Sequence, residues 1–178
     1  MARATIATFA AAKGFDVEFL RRVGVTECER GLRFRYRDLD GSPARTHVRP
    51  KLESSHPSTW ENDAERIVAY GSHLIRRFRE AGASLAICEG ESDALSLWYH
   101  QRPAIALPGT TMHALLTLAH VEGFLEVLLA FDNDEAGERA VPVVAAHLRS
   151  LGYTGRIRRL NLAPYKDVSD LHLATRGA

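Results

Sequence analysis

The sequence predicts an α/β fold: a doubly wound, mostly parallel four-stranded sheet flanked by helices, preceded by a small α+β N-terminal subdomain. Three observations lead there. From residue 84 onward, short apolar runs alternate with helical patterns in the order β-α-β-α-β-α-β, the pattern of a parallel sheet. Two of those runs, Leu85–Cys88 and Leu128–Phe131, are apolar throughout and end abruptly in carboxylates, as buried strands at a sheet edge do. Before residue 80 the chain instead shows a helix pair and a strand of period two, and a change of composition near residue 80 divides 1–80 from 81–178.

Taken in order, Thr5–Lys13 is alanine-rich and stopped by Gly14, which predicts a short helix. Asp16 caps a second, with Val17, Leu20 and Val23 on its inner face and Gly24 at its end. In Leu32–Arg37, Leu32, Phe34 and Tyr36 alternate with Arg33, Arg35 and Arg37, so one strand face is apolar and the other arginine-rich. Asp40-Gly41 is a tight turn, and Ala44–Arg49 returns as the partner strand. Pro50–Asp63, with its prolines and serines, reads as a linker or mobile loop, and Arg66–Tyr70 as a brief strand. Ser72 caps a helix ending at Gly82, with Leu74, Ile75 and Phe78 as its apolar stripe. Then come a strand at Ser84–Cys88, a helix at Ser92–Gln101, a strand at Pro103–Leu107 and a helix at Thr111–Val121. The pattern closes with a strand at Leu125–Phe131, a helix at Glu135–Leu151, a strand at Arg156–Leu160 and a helix at Asp167–Thr175. Pro142 predicts either a kink in the long helix or a restart there, because a proline removes one helical amide and crowds the preceding turn.

Composition narrows the function classes. Of 178 residues, 46% are hydrophobic and 25% charged, ordinary for a globular protein. No apolar run approaches the roughly 20 residues of a membrane helix, and the N-terminal stretch lacks the apolar core of a signal peptide, so a cytoplasmic protein without membrane partners is expected. Cys28 and Cys88 form no CxxC pair, which excludes a cysteine-rich zinc site from this chain alone. Residues 1–80 carry 15 Lys+Arg against 11 Asp+Glu, and residues 81–178 carry 8 against 11. The front half suits a polyanion and the back half suits cations. Arginine outnumbers lysine 20 to 3, which favours bidentate phosphate contacts.

The carboxylates carry the chemistry. Glu89 follows one apolar run, and Asp132 and Asp134 follow the other, two residues apart and able to point the same way. Ligands of open α/β sheets bind just beyond the carboxyl ends of the strands. Three acids there make a site for Mg²⁺ or Mn²⁺, hard cations that take oxygen ligands, keep several waters and serve phosphoryl transfer. Glu89 is either a metal ligand or a proton-transfer group, and Asp93 reaches the same edge from the next helix. Competing motifs fail or are weak. An EF-hand from Asp132 places Val143 where a bidentate Glu is required. No Walker A loop, Rossmann fingerprint or GxSxG is present. Asp134 also reads as a plain helix N-cap, and the Pro108-Gly109-Thr110 turn as a weak phosphate site through its amides.

The stretches LAICEGESDA (85–94) and LLAFDNDEAG (128–137) resemble the two signature motifs of the Toprim domain, found in bacterial-type DNA primases, topoisomerases and certain nucleases. The first pairs Glu89-Gly90 with Asp93; the second pairs Asp132 and Asp134 with Ala136-Gly137; Pro108-Gly109 matches the family's glycine turn. Residues 165–170, including Lys166, Asp167 and Asp170, resemble the lysine-plus-acid segment of primases. The front part is similar to the segment before Toprim in phage- and plasmid-type primases, through Leu20, Gly24-Val25, the hairpin and Tyr70-Gly71. The resemblance implies a primase-type nucleotidyltransferase that synthesises a short primer on single-stranded DNA from NTPs. Glu89, Asp132 and Asp134 would then be its catalytic and metal residues, with Gly90, Asp93, Gly109 and Gly137 framing them. Arg35, Arg37, Arg45, Arg49, Lys51, Lys166, Asp167 and Asp170 become candidates for nucleotide or template contacts. The same acids serve a Toprim nuclease equally well, and a catalytically weak nucleic-acid- or helicase-binding module is the third reading. Larger family members continue into a helical or helicase domain where this sequence stops, so a replicative helicase or a fused domain is an expected partner.

Overall fold

The computed structural model describes residues 3–52, 58–61 and 66–176. Thr5 opens α1 (Ile6–Lys13) through a reciprocal capping box with Thr8, and Gly14, at φ 67°, closes it. In α2 (Val17–Arg22) the buried residues are Phe19 and Leu20; Val17 and Val23 only border the core. An antiparallel sheet follows, in the spatial order β1 (Thr26–Cys28), β2 (Gly31–Arg37), β3 (Pro43–Arg49), β4 (Thr59–Glu61). The alternation predicted for β2 holds, with Leu32, Phe34 and Tyr36 buried, and the predicted hairpin forms the centre of the sheet. The sheet extends beyond that hairpin through two outer strands of three residues each. One of them, β4, lies inside the stretch predicted as a linker, where Trp60 pairs with His47. The remainder of that stretch at 53–57 and 62–63 lies outside the described residues. Residues 66–70 make a single bridge, Tyr70 to Ala106, and no strand.

A 3-10 turn at Ser72–Leu74 runs into α3 (Ile75–Ala81) and opens the second half. Next come β5 (Ser84–Glu89), α4 (Gly90–Tyr99) and β6 (Ala104–Leu107), then a 3-10 segment at Thr110–Leu115 and α5 (Leu118–Val121). The chain continues through β7 (Glu126–Ala130), α6 (Glu135–Ser150), β8 (Arg156–Arg159) and α7 (Val168–Arg176). The sheet is wholly parallel, in the order β6-β5-β7-β8, so the predicted fold class is the observed one. The helix predicted over 111–121 is broken: Leu116 is extended (φ −76°, ψ 134°) and buried, and Thr117 restarts the chain with a capping box to His120. In contrast, α6 runs uninterrupted through Pro142. That proline is exposed, so the carbonyl it leaves without a helical donor faces water.

Side chains on the two faces of the parallel sheet differ in size. Leu85, Ile87, Ile105, Leu107, Val127 and Leu129 pack on one face with Val144 and Leu148 of α6. The other face offers Cys88, Ala106 and Ala130, packed with Ala94 and Leu95 of α4 and with Phe9, Phe34 and Tyr36 from the N-terminal elements. The small-residue face and the antiparallel sheet therefore share one core.

Candidate active site at the carboxyl edge of the parallel sheet

The chain leaves β5 to form β6 on one side, then crosses back to lay β7 on the other. The gap between the carboxyl ends of β5 and β7 is the topological switch point, where ligands of such sheets bind. Register puts Cys88 beside Ala130, so Glu89 and Asp132 leave neighbouring strands about one residue apart. Glu89 is the last residue of β5, and Gly90, at φ 78°, lets the strand turn directly into α4. Gly137 is required by proximity: a Cβ there would lie 2.0 Å from the Asp132 carbonyl oxygen. Asp134 is the N-cap of α6 and accepts the Gly137 amide at 2.9 Å, so the capping and acidic readings of this residue coexist. Gly109 (φ 124°) ends the loop after β6, and the Thr110 amide is directed to the Glu89 carboxylate. The weak anion site predicted there is thus used internally.

Burial raises the Glu89 carboxyl above its ordinary range, and repulsion from Asp132 and Asp134 adds to this. Asp132 is raised likewise, by burial and then by Asp167, with the Lys166 ammonium, 3.6 Å away, opposing. Asp93 sits one turn into α4, where burial and the nearby Asp167 push it well up; it accepts the Ser169 amide at 2.9 Å and so seats the start of α7. Asp167 caps that helix through the Asp170 amide at 2.7 Å. Lys166 is exposed, and its ammonium is held above its usual range by Asp132, with Asp167 and Asp170 assisting. Six carboxylates, Glu89, Asp93, Asp132, Asp134, Asp167 and Asp170, thus share one edge with Lys166. Among the described residues, no three Asp, Glu, His or Cys side chains stand close enough to hold a metal ion unaided. The donor set is all carboxylate and mutually repelling, which fits a Mg²⁺ or Mn²⁺ that completes its shell with waters and substrate phosphates.

The candidate arginines do not share one surface. Arg35 and Arg37 are exposed, and Arg37 donates to the Gly41 carbonyl. Arg45 and Lys51 are half-buried. Arg49 pairs in register with Leu32 and so points to the inner face, opposite Arg35. Its guanidinium donates to Glu91 at 3.2 Å and to Ser92 at 3.0 Å and lies over the Phe9 and Phe34 rings.

Sequence reasoning missed Glu91. It is 2% exposed, beside Glu89 in sequence, and receives the Tyr36 hydroxyl at 2.7 Å, His47 Nδ1 and Arg49. Burial alone would raise its carboxyl, but the His47 hydrogen bond and charge, with Arg49 and Tyr36, hold it at about 2. Trp60 stacks on His47 with centroids 4.5 Å apart, so β2 and β3, backed by the edge strand β4, converge on this carboxylate. A lone Glu between Gly90 and Ser92 carries no sequence signal for this; only the pairing of two remote segments creates it.

Residues 86–172 match the sequence model of the Toprim-like family. The match spans the parallel-sheet part of the chain, from β5 into α7. Glu89, Asp132 and Asp134, at the switch point, lie within the matched residues. Among curated proteins, a DNA helicase/primase of Enterobacteria phage T3 is 27% identical over 145 residues, which cover 78% of this chain and 24% of that protein. The chain therefore spans about a quarter of that relative's length. Among solved structures, the primase fragment of the bacteriophage T7 primase-helicase superposes with a TM-score of 0.73 at 26% identity, covering 93% of this chain and 69% of that one. The Aquifex aeolicus primase, in its zinc-binding and RNA polymerase domains, gives 0.72 at 16% identity over 96% and 54%, a likeness of fold. The likeness to the T7 primase fragment extends over both sheets.

Proposed function

We propose that this chain is the catalytic core of a DNA primase: a nucleotidyltransferase that builds a short primer on single-stranded DNA from NTPs. The observation that carries this reading is the reach of the likeness. Toprim acids alone suit a nuclease as well, but the match to the T7 primase fragment takes in 93% of the chain, including the antiparallel sheet that precedes Toprim. In this reading residues 1–80 are the template-side subdomain and 81–178 the catalytic one. Asp132 and Asp134, with Glu89, would hold Mg²⁺ or Mn²⁺, which when bound would neutralise the charge of the incoming triphosphate. Lys166 holds its ammonium at the same edge, available to a phosphate oxygen. Glu89, whose carboxyl is raised by burial and by its neighbours, is the candidate proton acceptor for the primer hydroxyl. Exposed Arg35 and Arg37 are the template contacts, whereas Arg49 is committed to Glu91. A replicative helicase, attached or separate, is the partner, as the relative's name indicates for that protein.

The test supplies single-stranded DNA, NTPs and Mn²⁺ and looks for short products on a denaturing gel. Synthesis abolished by both Asp132→Asn and Glu89→Gln is expected. Synthesis that survives both substitutions refutes the site, and cleavage of DNA or RNA without NTPs replaces the reading with a nuclease.

A further inference from the structure

At the opposite end of α4 from Glu89, roughly 15 Å along the helix at 1.5 Å per residue, lies a groove of about 870 Å³. It runs between α2, α3 and the turn that follows α4. Its floor is apolar, from Phe19, Leu74, Phe78, Trp98 and Pro103. Its rim carries Arg22, Arg77 and Arg102, all exposed.

These three arginines differ from their neighbours. On α2, Arg21 pairs with Glu18 at 2.7 Å; on α3, Arg76 pairs with Glu80 at 3.8 Å and Arg79 with Glu122 at 3.7 Å. Arg22, Arg77 and Arg102, interleaved with them, make no ion pair among the described residues. The acid that lines the groove, Asp16, is already occupied by the Tyr99 hydroxyl at 2.8 Å and by Arg176 at 3.9 Å. The groove thus combines apolar surface with three arginines outside any ion pair among the described residues and one acid already engaged.

We propose that this groove docks an acidic amphipathic helix of a partner protein, with apolar anchors on the floor and carboxylates on the three arginines. Helix-in-groove recognition takes a few side chains at helical spacing, which suits a cleft of this size between helices. Single-stranded nucleic acid fits less well, because base stacking needs open ring faces. Trp98 stacks on Tyr70 with centroids 5.2 Å apart, Arg22 lies over Phe19, and Arg176 lies over Tyr99. The site also lies away from the carboxyl edge of the sheet, so occupancy leaves the acidic cluster uncovered.

The experiment titrates the full chain with a synthetic peptide of about fifteen residues, leucines at helical i, i+3, i+7 spacing and glutamates elsewhere, followed by NMR. Shifts of the Trp98 indole N–H and the Phe19, Leu74 and Phe78 amides are expected. Arg22→Glu/Arg77→Glu/Arg102→Glu together weaken binding by about tenfold or more, while the triple lysine variant, which keeps the charge, retains it. A peptide with lysines for glutamates leaves the spectrum unchanged. The proposal falls if the acidic peptide moves none of these resonances at about millimolar concentration, or if charge reversal leaves its affinity intact. It falls equally if an oligo-dT strand moves the same resonances and the peptide does not.

Discussion

Replacing Glu91 by glutamine keeps the shape of the side chain and removes its charge, which isolates the worth of the carboxylate that joins the hairpin to α4. Folded, this carboxyl titrates at about 2, against 4.5 for an ordinary glutamate. The difference corresponds to about 3 kcal/mol of stability. Because the folded value is depressed, that contribution is complete above about 4.5 and is lost as pH falls toward 2. Removing one partner of a buried pair costs about 3–5 kcal/mol, here because Arg49, with 20% of its side chain exposed, is left facing a neutral amide. The assay is equilibrium urea unfolding of both proteins at a series of pH values from 7 to about 2.5. A gap of about 3 kcal/mol at pH 7 that narrows below pH 4.5 is expected. A gap under about 1 kcal/mol at pH 7, or one independent of pH, would refute the assignment of Glu91 as an ionised structural anchor.

Glu89 and Asp132 behave in the opposite sense. Their folded values are raised, so the metal-free protein loses stability as pH climbs through the carboxylate range, and Asp132→Asn or Glu89→Gln should raise its thermal midpoint at pH 7. Scanning fluorimetry checks this; variants less stable than the parent would contradict it. Mn²⁺ added to the parent should raise the midpoint by mass action, and chelator should reverse it, with both responses lost in the double variant. Gly137→Ala forces a methyl against the Asp132 carbonyl and should cost about 1–3 kcal/mol while abolishing the Mn²⁺ response. Phe34→Ala empties the middle of the shared core, at about 3–5 kcal/mol by urea unfolding.

What was legible in the sequence follows from where the free energy sits. The strands β5 to β7 were readable because each buries its own side chains, and the acid motifs because strand ends and helix caps are local events. The hairpin was readable from the alternation of Leu32, Phe34 and Tyr36. β1 and β4 were not: TEC and TWE are three residues long, and the ladder of a longer neighbour holds them in place. Leu116 breaks a helix that its local pattern favours because its side chain is needed in the core. The face of Arg49 was hidden for a related reason. On β3 the buried set is Ala44, Thr46 and Val48, so alternation alone assigns Arg49 to solvent, yet register turns it toward Glu91. Long-range pairing decided each of these.

The small residues beneath α4 have a mechanical consequence. Between β5 and α4 stand Cys88, Ala94, Ala106 and Ala130, with few rotatable bonds among them. A thick layer of leucines can absorb a displacement by changing rotamers; alanines have none to change. The start of α4, and with it Glu89, is therefore seated on a layer of side chains with little freedom to rearrange.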